Sequence, residues 1–131
     1  MNHPESKLQK RCVKWAHDYF AKLWPKYLLL LEDTSGRKRL VPPLFSIPNE
    51  RKTKTGKHLN AMGRKSGVPD LRLDIPMGGF HGLIIEMKSG NEQPFYNQRQ
   101  WLAHYDRCGY KTAVCRTFAE FERVVVSYMS L

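Results

Sequence analysis

The sequence predicts a mixed α/β domain, a central sheet flanked by helices. Three observations carry this reading. An amphipathic stretch opens the chain, two strand-like runs flank a glycine pair near its middle, and the last 38 residues alternate helix, strand and helix. A length of 131 residues suits a single domain, and such a chain buries roughly two-thirds of its unfolded surface without a structural metal or disulfide. With no internal repeat and no linker, residues 1–131 read as one unit.

The elements follow in chain order. In ESKLQKRCVKWAHDYFAKLW, Leu8, Cys12, Trp15, Ala16, Tyr19, Phe20 and Leu23 recur at helical spacing, and Pro4 suits a first helical position, so a helix is expected from about 4 to 24. KYLLLL and LVPPLFSIP read as extended segments around the turn-like DTSGRKR, their prolines favouring edge positions. NERKTKTGKHLNAMGRKSG (49–67) is polar, basic and punctuated by glycine, with a short helix expected near His58 to Arg64. DLRLDI (70–75) and GLIIEMK (82–88) are strand-like, and Gly78–Gly79 between them suits a hairpin turn. PFYNQRQWLAHYDRCG reads as a helix with an inward stripe of Phe95, Trp101, Leu102, Tyr105 and Cys108, closed by Gly109. YKTAVCR is a short strand, and Thr117 with Glu120 forms a capping box for a last helix that turns Phe121, Val124, Val125 and Tyr128 to one side.

Composition narrows the function. The net charge is +10, and a surface so basic ordinarily serves to attract a polyanion. The excess is local, because residues 37–65 carry nine Lys and Arg against one acid, while 66–131 carry seven of each. A solvated loop and a nucleic-acid contact are the two readings of such a run, and the second is favoured. Cys12, Cys108 and Cys115 are odd in number and widely spaced, which predicts reduced, buried thiols and neither a disulfide framework nor a zinc knuckle. The polar N-terminus and the absence of a long apolar run predict a soluble, cytoplasmic protein with no membrane partner. His3, His17, His58, His81 and His104 show no metal-ligand spacing.

Chemistry concentrates on the expected hairpin. Alternation along a strand puts Glu86 and Lys88 on one face and Met87 on the other. If the hairpin is symmetric about Gly78, residue 70 lies opposite residue 86, and Asp70 approaches Glu86. Two carboxylates so close repel unless a cation lies between them, which is how a Mg²⁺ site is made. Lys88 beside them can lower the pKa of an attacking water or neutralise charge on a phosphate. The plainer alternative makes Glu86 and Lys88 a surface ion pair and Asp70 a turn residue. The neighbouring basic loop tells against it, since a phosphate drawn to Arg51, Lys52, Lys54, Lys57, Arg64 and Lys65 lies near the acids.

Gly67-Val68-Pro69-Asp70-Leu71 followed by Glu86-Met87-Lys88 resembles the PD-(D/E)xK nuclease signature. FSIPNE (45–50), HLNAMGRKSGVPDL (58–71), GLIIEMKSG (82–90), Asn97-Gln98 and GYKTAVCR (109–116) are similar to the VRR-NUC family, the virus-type replication-repair nucleases, in its stand-alone phage and bacterial form. The resemblance implies a restriction-endonuclease-like αβββαβ core and Mg²⁺- or Mn²⁺-dependent cleavage of branched DNA, by homodimers acting on four-way junctions. Flap or duplex cleavage, and DNA binding without activity, are the alternatives. It further implies catalytic roles for Asp70, Glu86, Lys88, Gln98 and Glu5, with metal ligands from Asp70, Glu86, the Met87 main-chain carbonyl and Glu5. Glu5 reads equally as an acid favoured at a helix N-terminus. Gln98, on the inward stripe, is either an active-site group or a satisfied core amide. Asn49 and Glu50, beside the basic loop, are candidates to touch metal or phosphate. Residues 32–43 depart from the family pattern and read as an insertion before the FSIPN strand.

Overall fold

A computed structural model describes residues 4–47, 61–63 and 65–131. Helix α1 (Pro4–Leu23) leads into a short 3₁₀ turn (Pro25–Tyr27), then β1 (Leu29–Glu32), β2 (Lys38–Val41), β3 (Leu44–Ser46), β4 (Leu71–Leu73) and β5 (Leu83–Met87). Helix α2 (Tyr96–Arg107), β6 (Lys111–Cys115) and α3 (Phe118–Met129) complete the chain. α1 stops one residue before the predicted end because a residue preceding proline is pushed out of helical geometry, and Trp24 before Pro25 sits at φ −134°, ψ 51°. Leu23, placed on the apolar stripe by spacing, is 64% exposed at that end.

The main sheet has the order β3-β4-β5-β6, with β3–β4 and β4–β5 antiparallel and β5–β6 parallel. Parallel neighbours need a crossover, and α2 supplies it. The order α1, β3, β4, β5, α2, β6 is the αβββαβ core, and β1–β2 form a separate antiparallel hairpin inserted after α1. The departure at 32–43 therefore corresponds to most of a hairpin spanning 29–41. Strands β4 and β5 are shorter than the runs 70–75 and 82–88, but Leu71 pairs with Ile85 and Leu73 with Leu83, as symmetry about Gly78 predicts. Gly78 and Gly79 both have positive φ (56° and 87°), the geometry of a two-residue primed turn, and Met77 bridges Phe80 across it.

The core lies on one face of this sheet. Leu71, Leu73, Leu83, Ile85, Met87 and Cys115 pack there with Cys12, Ala16 and Phe20 of α1 and with Phe121, Val125, Tyr128 and Met129 of α3. α3 starts where the capping pattern places it, the Thr117 side chain accepting from Glu120 N–H at 3.1 Å. The reciprocal arm goes one residue back, Glu120 Oε2 accepting from Arg116 N–H. α2 lies on the opposite face, where Thr112 Oγ1 donates to Asp106 Oδ1 at 2.7 Å and Tyr105 meets Tyr110. Its predicted stripe is only partly covered: Phe95 and Cys108 are exposed and Gln98 is its buried residue. Of the three thiols, Cys12 and Cys115 are buried and Cys108, at the C-terminal cap of α2, is not. No described helix is long and apolar enough to cross a membrane.

Candidate active site

The site sits where β4 begins and β5 ends. Pairing of Leu71 with Ile85 sets Asp70 beside Glu86, and Asp70 Oδ2 accepts a hydrogen bond from Met87 N–H at 2.8 Å. Asp70 is also held through its backbone, whose carbonyl accepts from Ile47 N–H at 3.2 Å. Lys88 N–H donates to the Cys115 carbonyl at 3.0 Å.

Glu86 and Lys88 share a face, as strand alternation requires, and both are buried at 1% and 3% exposure. Lys88 Nζ lies 4.0 Å from Glu86 Oε2, while Glu86 Oε1 is buried without a hydrogen-bond partner among the described residues. From the start of α1, Glu5 reaches the same point, and one carboxylate oxygen from each of Glu5, Asp70 and Glu86 falls within 4.8 Å of the others. Burial first, then the charge of Asp70 and a hydrogen bond with it, push the Glu86 carboxyl up to about 9; Lys88 opposes this and Glu5 adds to it.

Carboxylates this close repel when ionised unless a cation lies among them. Three carboxylates converge and one holds an orphaned buried oxygen, an all-oxygen donor set suited to Mg²⁺ or Mn²⁺. The geometry thus fits a divalent ion held by Glu5, Asp70 and Glu86.

The chain entering Asp70 is anchored from α2. Trp101 Nε1 donates to the Ser66 carbonyl at 3.1 Å, and Asn97 Nδ2 donates to Ser66 Oγ at 3.1 Å. Gly67, at φ 84°, passes so close that a Cβ there would stand 2.7 Å from the Asn97 amide. Trp101 read in sequence as core, and its anchoring role was invisible because its partner is a backbone carbonyl 35 residues away. Gln98 is buried, and its Oε1 accepts from Phe95 N–H at 2.7 Å in the helix's own first turn. Lys65 is exposed. Asn49, Glu50, Arg51, Lys52, Lys54, Lys57, Arg64 and the short helix near His58 fall wholly or largely outside the described residues.

The sequence matches the family model for the VRR-NUC domain over residues 2–119. The chain belongs to the VRR-NUC family. A solved structure titled "VRR_NUC domain protein" shares its fold, with a TM-score of 0.71 and 24% identity over 100% of this chain and 92% of that one. No curated protein matches the chain. A VRR-NUC domain is a nuclease of the PD-(D/E)xK type.

Proposed function

We propose that this VRR-NUC protein is a Mg²⁺- or Mn²⁺-dependent endonuclease that hydrolyses phosphodiester bonds in branched DNA, acting as a homodimer on four-way junctions. The observation that carries the metal-dependent chemistry is the convergence of Glu5, Asp70 and Glu86 around the orphaned Glu86 oxygen, with Lys88 beside it. A divalent ion bound there would supply Lewis-acid stabilisation of the phosphate and a more acidic water. Asp70 and Glu86 would hold it, their mutual repulsion relieved. Lys88 places an ammonium beside the carboxylates, where it offsets charge building on the phosphate oxygens and favours deprotonation of the attacking water. The net charge of +10 draws the polyanion in.

The choice of junction and of a dimer is supported by the family resemblance and by one surface. Leu30 and Leu40 are each 61% exposed, and Leu29, Leu31 and Phe45 are also exposed on and beside the β1–β2 hairpin, more apolar surface than a two-stranded sheet conceals by itself. One site cuts one strand at a time, so symmetric resolution needs two sites, and twofold pairing supplies them. Analytical ultracentrifugation at micromolar concentration is expected to report about twice 15.3 kDa. Labelled four-way junction, flap, duplex and single-stranded DNA, each with Mg²⁺, Mn²⁺ or chelator, are expected to show paired, symmetry-related nicks in the junction only when metal is present. A monomer that cuts flaps alone would overturn the junction reading and leave the nuclease reading intact.

A further inference from the structure

Phe95 is an odd residue for its place. It flanks the first turn of α2 with extended backbone (φ −62°, ψ 162°) and offers the helix's free N–H groups no side-chain acceptor, where Ser, Thr, Asp or Asn is worth about 1 kcal/mol. The residue is 55% exposed. Its ring meets Lys88, whose Nζ lies 4.7 Å from the ring centroid. That distance is within the range of a cation–π contact, and Lys88 is 3% exposed, so little water screens it.

The ring is also held in place. Phe95 N–H donates to the buried Gln98 Oε1 at 2.7 Å, and Arg99 Nη1 donates to the Pro94 carbonyl at 3.0 Å. Arg116 Nη1, from the end of β6, donates to the carbonyls of Gly90 and Glu92. Two arginines and a glutamine therefore fix the segment between Lys88 and α2. Glu86 by itself does not fix the ammonium, because 4.0 Å is longer than a hydrogen bond.

We propose that Phe95 is a positioning residue for the reaction: its ring face holds the Lys88 ammonium at the carboxylate cluster, and Gln98 holds the ring by binding its backbone. The kinetic consequence rests on the nuclease reading, whereas the contact itself does not. Phe95→Leu keeps an apolar side chain and removes the π face; Phe95→Tyr keeps the face. With the four-way junction as substrate, Phe95→Leu is expected to lower kcat about 5- to 30-fold, the interval between an exposed and a desolvated cation–π contact, with KM and metal dependence within about twofold of wild type. Phe95→Tyr is expected to recover the rate. In ¹H–¹³C spectra of protein labelled at lysine Cε, the Lys88 methylene is expected to be shifted upfield by the ring in wild type and Phe95→Tyr, and to return to the ordinary lysine position in Phe95→Leu. An unshifted Lys88 signal in wild type would overturn the proposal, as would wild-type kcat in Phe95→Leu or a loss confined to KM, which would make the ring a DNA contact. Should the wild type cut no DNA, the nuclease reading fails and the spectra alone decide the contact.

Discussion

Glu86→Ala and Asp70→Ala are each expected to abolish metal-dependent DNA cleavage, a loss of at least about 10³-fold, while the folded protein still binds DNA. Each change removes a carboxylate from a cluster whose oxygens lie within 4.8 Å, and neither residue belongs to the packed face formed by Leu71, Leu73, Leu83, Ile85 and Met87. Lys88→Ala is expected to keep the metal ligands and lose about 10²–10³ in rate, the usual effect of deleting one group that stabilises a transition state. Rates on labelled DNA, with binding measured separately in chelator, distinguish these outcomes. Appreciable Mg²⁺-dependent cutting by Glu86→Ala would remove it from the metal site, and wild-type turnover by Lys88→Ala would reduce Lys88 to an ion pair.

Removing the Glu86 charge is expected to stabilise the metal-free protein. Glu86 titrates near its ordinary value of 4.5 when unfolded and at about 9 when folded. Between those values the native state keeps a proton that the unfolded chain has released, so native stability falls as pH rises from about 5 and the cost is complete above about 9. Below the unfolded value the two states hold the same proton and the cost vanishes. Each unit of pKa difference traversed is worth about 1.4 kcal/mol, so at pH 7.5 the shape-matched Glu86→Gln is expected to gain on the order of 2–4 kcal/mol over wild type. For a domain of this size that is roughly 6–20 °C in melting temperature. Melting curves from pH 5 to 9 in chelator are expected to diverge with rising pH, and saturating Mg²⁺ should raise wild type more than Glu86→Gln. A constant gap, or a less stable Glu86→Gln, would show that Glu86 is not held protonated by burial and by Asp70.

Much of this was legible because local rules and global fold agree in the hairpin. Glycines at 78 and 79 fix the turn, the turn fixes the register, and the register alone brings Asp70 to Glu86. The same holds for α1 and α3, where helical spacing and a Thr117 cap decide the element. Legibility ended where partners are remote or main-chain. Helical spacing placed Phe95 and Cys108 inward, but α2 covers only part of its sheet face, and its first turn serves Lys88 instead of the core. Gln98 was legible as a buried amide; its partner, a backbone N–H three residues earlier, was not. That Glu5 meets residues 65 and 81 positions away depends on how α1 packs, which no local pattern encodes.

Crystals soaked in MnCl₂ and measured for manganese anomalous scattering test the metal site most directly. The account predicts one peak about 2.1 Å from oxygens of Asp70, Glu86 and the Met87 main chain, with Glu5 beside it, and no peak there in Glu86→Ala. A manganese site elsewhere, or none at a concentration that supports cleavage, would contradict it.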